Sequence, residues 1–307
     1  MKKINDYAKV FETLVQKTQD YIVNNNLKAM ILGISGGIDS TVVATICYEV
    51  YKRTGIPLIG RSLPTKNNKE NEITTADLVG KAFCNEYAER SIEAIYNEYL
   101  KFLIGLEPLN QTPIANGNIQ ARLRMMYLYN LASIYNGIVM DTDNLTENNL
   151  GYFTIHGDVG DFNPIGGLWK IEVFELATWL ISDYYKQYTF NNPEKDTEIF
   201  AKIQAITESL KLKPTAGLGI TNNDLEELGA ESYEQVDSIL QEILAWKNLA
   251  KERGDLPESI KEQKEMFLDE QQMLTIPIEI IINVVDRHFK SEFKRKQLPI
   301  KITRDEI

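Results

Sequence analysis

Apolar residues recur along this chain with two alternating periods. Tyr7, Val10, Phe11, Leu14, Val15, Thr18, Tyr21 and Ile22 fall at helical spacing and predict a helix over 5–26, ended by three asparagines. Met30 to Ile34 is a short continuous apolar run that reads as a buried strand. Val42, Val43 and Ile46 then resume a helical stripe, which Gly55 closes. Ile56 to Leu63 predicts a second strand stopped by Pro64. A polar loop from Thr65 leads into a helix over 72–87, Arg90 to Ile95 reads as a third strand, and a helical stretch runs to Leu103. Gln111 to Gly117 reads as a loop carrying Pro113. Over 118–135 the helical pattern puts Ala121, Met125, Leu128 and Ala132 in one stripe, yet Leu123, Met126, Tyr127 and Leu131 are apolar too. Such a helix is either enclosed or half of a subunit interface. Ile138 to Met140 is a fourth buried strand. A long segment rich in Asp, Asn, Gly and Thr follows over 141–169, and helical spacing returns from Ile171, over 225–249 and over 273–289.

This alternation predicts an α/β fold with a doubly wound parallel sheet flanked by helices, and a helical C-terminal part. No repeat, low-complexity tract or linker divides 1–307, so one domain is expected, with an insertion at about 183–213. In such folds ligands sit beyond the carboxyl ends of the strands.

The first of those ends carries Gly33-Ile-Ser-Gly-Gly-Ile-Asp-Ser40. Strand, Gly-rich turn and helix N-terminus make an anion site, because free N–H groups and the helix dipole converge there. Gly36 and Gly37 allow close backbone approach, and the Ser35 and Ser40 hydroxyls can add donors. Asp39 would repel a phosphate unless a cation such as Mg²⁺ lies between them. The loop lacks the Lys of a Walker A sequence. An ordinary strand-to-helix turn is the plain alternative.

Beyond the fourth strand, Asp141-Thr-Asp-Asn-Leu-Thr-Glu147 offers the Thr142 hydroxyl and the Glu147 carboxylate, or else an Asx turn with a capping Glu. Paired with Asp39, Glu147 would complete an oxygen-ligand Mg²⁺ site. Gly151 to Asp161 adds aromatic rings and two carboxylates, Asp158 and Asp161, and could equally be a hairpin with a Gly-rich end. His156 reads as a hydrogen-bonded structural residue. Lys170, at a helix start, is solvent-exposed by default but near a triphosphate would neutralise developing charge.

Composition narrows the field. With 33 basic and 44 acidic residues the net charge is −11, which weighs against a broad nucleic-acid surface. Cys47 and Cys84 are the only cysteines and no C-x-x-C occurs, so zinc fingers, iron–sulfur ligation and a disulfide framework find no support. No apolar run approaches a membrane span and the first residues lack a signal-peptide core, so a cytoplasmic protein without membrane contact is expected.

Ser35-Gly-Gly-Ile-Asp-Ser40 resembles the pyrophosphate loop of the ATP pyrophosphatase superfamily, whose members cleave ATP between the α and β phosphates. Further matches follow in order: Asn118 to Met125, Thr142 to Glu147, Gly151-Tyr-Phe-Thr154, Gly157-Asp158, Asp161 with Pro164, Lys170, Lys213-Pro-Thr-Ala216, and Lys294-Arg295 ahead of Pro299. From about residue 5 to 300 the sequence is similar to the ammonia-dependent NAD synthetases. The resemblance implies a ligase that adenylates the carboxylate of deamido-NAD with ATP, then amidates it with ammonia. It implies Gly33, Ile34, Ser35, Gly36, Gly37, Ile38, Asp39, Ser40, Thr142, Lys170 and Thr215 at ATP, with Asp39 and Glu147 as Mg²⁺ ligands. Arg122, Tyr152, Phe153, Asp158, Asp161 and Lys294 fall at deamido-NAD positions. Asp39, Asp161 and Lys170 are the implied catalytic residues, Asp161 also orienting ammonia. It further implies a homodimer, to which helix 118–135 is suited, and free ammonia as nitrogen donor, since no room precedes the pattern for a fused amidase domain. The chain departs from the pattern in places. Asp141 stands where the family usually has Gly, Ile155 where a Lys is common, and Phe293 where a His is common, while Gly157 to Pro164 is one residue short. The other readings are an ATP pyrophosphatase acting on a different carboxylic acid, and a non-catalytic nucleotide-binding protein.

Overall fold

The computed structural model describes residues 4–104, 112–188, 193–213, 224–271, 273, 275–297 and 300–306. The chain runs α1 (Tyr7–Asn24), β1 (Met30–Gly33), α2 (Ile38–Thr54), β2 (Leu58–Ser62), α3 (Glu70–Phe83), β3 (Glu86–Glu89) and α4 (Glu93–Ile104). Next come α5 (Pro113–Tyr135), β4 (Ile138–Val139), α6 (Leu145–Leu150), β5 (Phe162–Asn163) and α7 (Lys170–Trp179), which continues as a π turn over Leu180–Tyr184. Then follow α8 (Pro193–Lys211), α9 (Asp224–Leu228), α10 (Tyr233–Arg253), α11 (Ile260–Glu270), α12 (Ile278–Lys290) and β6 (Ile300–Lys301).

Four strands form a parallel sheet in the order β3-β2-β1-β4. The chain steps outward from β1 to β3, then crosses back to lay β4 on the other side of β1. That reversal opens a crevice at the carboxyl ends of β1 and β4, the switch point where doubly wound sheets bind ligands. Met140 makes a single parallel bridge to Phe162, and β5 pairs in parallel with β6.

Alternation along β1 sends side chains to both faces. Met30 and Leu32 join Phe11, Leu14, Val42, Ile46 and Leu176 in the core under α1, α2 and α7. Ile31, with Ile59 and Val139, packs against Met125, Leu128 and Leu131 of α5. Each such buried side chain contributes roughly 1.5–3 kcal/mol. A third core gathers Leu150 and Trp169 with Ile239, Ile243, Phe267 and Val284, so the helical C-terminal part is pinned to the segments that follow β4.

Several expected elements shift. The third strand lies at 86–89, ahead of the expected 90–95, and the helix before it ends at Phe83. This edge strand carries Glu86 and Glu89 and is half-exposed, so it has no apolar signature; its register is set by pairing, Ile59 opposite Glu86. Pro113 lies inside α5 at its first turn, with Thr112 as N-cap accepting from the Ala115 N–H at 3.1 Å. The expected helix over 225–249 is two, separated at Gly229 in the left-handed region. Segment 141–169 holds α6 and β5. Within 183–213, α8 packs on α2 and α3, and Ser209 hydrogen-bonds Thr41 of α2 at 2.7 Å.

Candidate active site

The turn after β1 is fixed by local chemistry. Gly36 has φ +85°, and a Cβ there would stand 2.5 Å from the Glu72 carbonyl oxygen of α3, so both conformation and space demand glycine. The Ser35 and Ser40 hydroxyls lie 3.0 Å apart, and Ser40 and Thr41 donate to the Gly37 carbonyl at 3.0 and 2.9 Å. Asp39 sits in the first turn of α2, where the helix dipole favours a carboxylate.

Asp39 faces a cavity of about 630 Å³ that opens over this turn. Lys170, the first residue of α7 and 1% exposed, extends into it. Its Nζ donates to Asp39 Oδ2 at 2.6 Å and to Glu147 Oε1 at 2.9 Å. Burial alone would ease the proton off this ammonium; Asp39 and Glu147 outweigh that and hold its pKa well above the usual lysine value. Asn144 braces both acids. Its Nδ2 donates to Asp39 Oδ1 at 2.9 Å, while its Oδ1 accepts the Glu147 N–H at 3.0 Å as the cap of α6.

Behind this trio lies a second acidic group. Asp143 and Asp158 line the cavity; Asp141 stands behind the wall and is 1% exposed. Burial raises all three carboxyl pKa values, to about 8 for Asp141, to about 6 for Asp158, and well above the ordinary range for Asp143. Asp141 Oδ2 and Asp143 Oδ2 are buried with no hydrogen-bond partner, which fits carboxyls that stay protonated near neutrality.

The opposite wall is assembled from distant segments. Lys294 donates to the Gly151 and Phe153 carbonyls at 2.8 and 2.7 Å and lies 5.1 Å above the Phe153 ring. The Arg287 guanidinium stands 4.3 Å over the Tyr152 ring and donates to Glu227 at 2.9 Å, and the Tyr152 hydroxyl donates to the same carboxylate at 3.0 Å.

Most residues singled out from sequence meet here. Gly33, Ile34, Ser35, Gly37, Ile38, Asp39, Ser40, Thr142, Glu147, Tyr152, Phe153, Asp158, Lys170 and Lys294 all line the cavity. Gly36 shapes the turn from behind. Thr215 lies outside the described residues. Arg122 and Asp161 are not in the lining. Arg122 donates to the Ile155 carbonyl at 3.4 Å, and Asp161 accepts from the Tyr129 hydroxyl of α5 at 2.7 Å. Lys170 is buried rather than exposed. Sequence reasoning missed Arg124, which lines the cavity and donates to the Leu63 carbonyl at 2.9 Å. The signal was present: Arg124 is three residues after Ala121 and four before Leu128, on the inward stripe. It also did not single out Asn144, readable as a helix cap, Asp143, which lies inside the Thr142 to Glu147 match, or Arg287, which had no local signal.

A crevice at the switch point of a parallel sheet, floored by a Gly-rich turn into a helix, defines a nucleotide-site α/β protein. The family model for NAD synthase matches residues 10–298. A curated NH(3)-dependent NAD(+) synthetase from Methanocaldococcus jannaschii is 30% identical, covering 95% of this chain and 98% of its own. One from Thermoplasma volcanium is 29% identical, covering 98% of this chain and 99% of its own. Among solved structures, the NMN synthetase from Francisella tularensis superposes with a TM-score of 0.69 at 27% identity, covering 95% of this chain and 97% of its own. The NH3-dependent NAD synthetase from Campylobacter jejuni, in complex with nitrate, gives 0.63 at 26%, covering 97% and 99%. The chain belongs to the NAD synthase family.

Proposed function

We propose that this C–N bond-forming ligase converts deamido-NAD to NAD with ATP and ammonia. The nicotinate carboxylate attacks the α-phosphorus of ATP, forming an acyl adenylate and releasing pyrophosphate. Ammonia then adds to the acyl carbon, a proton leaves, and AMP departs with the former carboxylate oxygen. Adenylation is required because a carboxylate oxygen is a poor leaving group. The observation that carries this reading is the convergence of Asp39, Glu147 and the Lys170 ammonium at the mouth of the Gly-rich turn. Turn N–H groups and Lys170 would hold the triphosphate and offset charge growing on pyrophosphate. Asp161 would orient ammonia, and Arg122, Asp158 and Lys294 would hold the dinucleotide, with Tyr152 or Phe153 against the pyridine ring; Asp161 and Arg122 stand outside the cavity lining, so their two roles rest on the resemblance alone. Thr142 and Thr215 complete the ATP contacts.

Asp39 and Glu147 suit Mg²⁺. Both are hard oxygen donors partly open to the cavity, at 16% and 19% side-chain exposure. Among the described residues no three His, Cys, Asp or Glu side chains gather as a metal cage, so substrate phosphates would complete the coordination. When bound, the ion would neutralise phosphate charge.

The remaining readings follow from surface and packing. Ile114, Met126, Tyr129 and Ile134 of α5 are exposed, and Ile95 and Phe102 of α4 lie on the adjoining helix, a surface suited to a homodimer. Net charge of −11 argues against a nucleic-acid partner. No described helix is long and apolar enough to cross a membrane, and a cytoplasmic enzyme of one domain is the reading we adopt. The Francisella neighbour supports a second substrate reading, the same amidation performed on the mononucleotide acid.

The test is release of AMP and pyrophosphate with ATP, Mg²⁺ and ammonium, with deamido-NAD or nicotinate mononucleotide as the acid. Release that needs deamido-NAD, yields NAD and vanishes in Asp39→Ala is expected. Release with the mononucleotide alone reassigns the substrate, and ATP binding without turnover on any acid leaves a binding protein.

A further inference from the structure

No residue of α10 lines the cavity, yet α10 reaches the site twice, through the Tyr233 ring, 5.7 Å from Lys170 Nζ, and through one buried carboxyl group. Asp237 is 1% exposed. Its Oδ1 accepts the Thr146 hydroxyl at 2.5 Å, and its Oδ2 accepts the Ile171 N–H at 3.1 Å. The Thr146 hydroxyl in turn accepts the Lys170 N–H at 2.8 Å. One carboxylate therefore ties the first turn of α6 to the first turn of α7.

Those two turns carry Glu147 and Lys170. The first N–H groups of a helix have no partner inside it, and here Thr146 and Asp237 supply two of the missing acceptors. A lysine ammonium at a helix N-terminus also stands at the unfavourable end of the dipole. Burial pushes the Asp237 carboxyl up to about 7, so what it brings to this turn is two accepted hydrogen bonds and only part of a charge.

We infer that Asp237 is a positioning residue for the adenylation step, setting the spacing of the Lys170 ammonium and the Glu147 carboxylate through the Asp237–Thr146–Lys170 hydrogen-bond chain. This rests on the function proposed above for Lys170 and Glu147. The chain of bonds has a direction that makes it specific. Thr146 donates to Asp237 and accepts from Lys170, so its hydroxyl cannot turn round without losing one of them. In Asp237→Asn the new amide either turns its N–H groups on the Ile171 N–H, or turns them on Thr146, whose hydroxyl proton then loses its acceptor. One bond is lost in either orientation, and α6 and α7 lose their common reference. A displacement of about 1 Å at a reacting centre can cost on the order of a hundredfold in rate.

The experiment compares wild type, Asp237→Asn, Thr146→Val and Thr146→Ser by steady-state AMP release and by calorimetry of Mg²⁺-ATP. Asp237→Asn and Thr146→Val should lower kcat at least tenfold with KM for the acid within twofold, and Thr146→Ser should stay within twofold of wild type throughout. Thr146→Val keeps the shape of the core, so it remains informative if Asp237→Asn folds poorly. A kcat loss no greater than the loss of folded protein, or a Thr146→Val enzyme within twofold of wild type, overturns the inference. If wild type itself forms no AMP with any acid, the proposed function fails separately. The positioning role is then read from Mg²⁺-ATP affinity, which should fall at least fivefold in Asp237→Asn and Thr146→Val but not in Thr146→Ser, and unchanged affinity overturns it.

Discussion

Replacing Lys170 by Met removes an ammonium that satisfies two carboxylates at once. The side chain is buried, and Met fills similar volume, so the loss is electrostatic. Taking one partner from a buried pair costs about 3–5 kcal/mol, because the remaining charge stays desolvated and unpaired. Asp39 and Glu147 keep 16% and 19% side-chain exposure, so solvent relieves part of that and the lower end applies. We expect a loss of about 3 kcal/mol in urea unfolding with EDTA present. Mg²⁺ offers those carboxylates a substitute cation. In wild type it must compete with the tethered ammonium, whereas in Lys170→Met that competitor is gone. A ligand at a hundred times its Kd adds about 2.7 kcal/mol, so excess Mg²⁺ should return most of the deficit in the variant and stabilise wild type much less. Turnover should remain depressed by about 10²–10³, since a divalent ion between the acids does not replace the ammonium over the phosphates. A loss under about 1 kcal/mol in EDTA, the range of exposed pairs, would refute the reasoning, as would equal stabilisation of both proteins by Mg²⁺.

Three further outcomes follow from the geometry. Gly36→Ala should destabilise by more than the roughly 1–2 kcal/mol of left-handed strain, because its Cβ would meet the Glu72 carbonyl at 2.5 Å. Calorimetry should find ATP affinity reduced, and unchanged affinity would mean the turn does not hold the nucleotide. Asp141 has its folded pKa raised by burial to about 8, so the stability it contributes is full below its unfolded value and is lost as pH rises towards 8. The unfolding free energy of Asp141→Asn should therefore gain on wild type by up to about 1.4 kcal/mol per pH unit between pH 5 and 8, and a constant gap would contradict the assignment. Met126→Asp with Ile134→Asp, both on the exposed face of α5, should shift light-scattering mass from dimer to monomer; a monomeric wild type removes the premise.

Legibility in the sequence followed how local the determinants were. Met30 to Ser40 was readable throughout, because apolar strand, paired glycines and helix restart are all encoded within a dozen neighbours. The inward stripe of α5 was equally plain, though attention to the resemblance drew Arg122 forward while the periodicity favoured Arg124. The edge strand 86–89 was hidden, since its pairing with β2, and not its own side chains, makes it a strand. Lys170 could be named from its motif, but its burial between two acids could not, because Asp39 and Glu147 come from separate crossovers. Asp237 had no signal at all. Nothing in α10 distinguishes a carboxylate aimed at another helix's N-terminus from one aimed at water.

The pairing of Phe162 with Ile300 also orders events in time. About 140 residues separate these partners, which at 5–20 residues per second is on the order of ten seconds of ribosomal synthesis. During that interval β5 is paired to the sheet only through the Met140 bridge, with Phe162 packed in the core, and its outer edge has no neighbour among the described strands. The loop at Gly151 and Phe153 waits equally long for the Lys294 side chain that fastens it. A nascent chain can therefore complete its central strands early while this wall of the cavity stays open. Until Lys294 and Ile300 have been made, the unpaired edge of β5 is where a chaperone, or a second nascent chain, would find its hold.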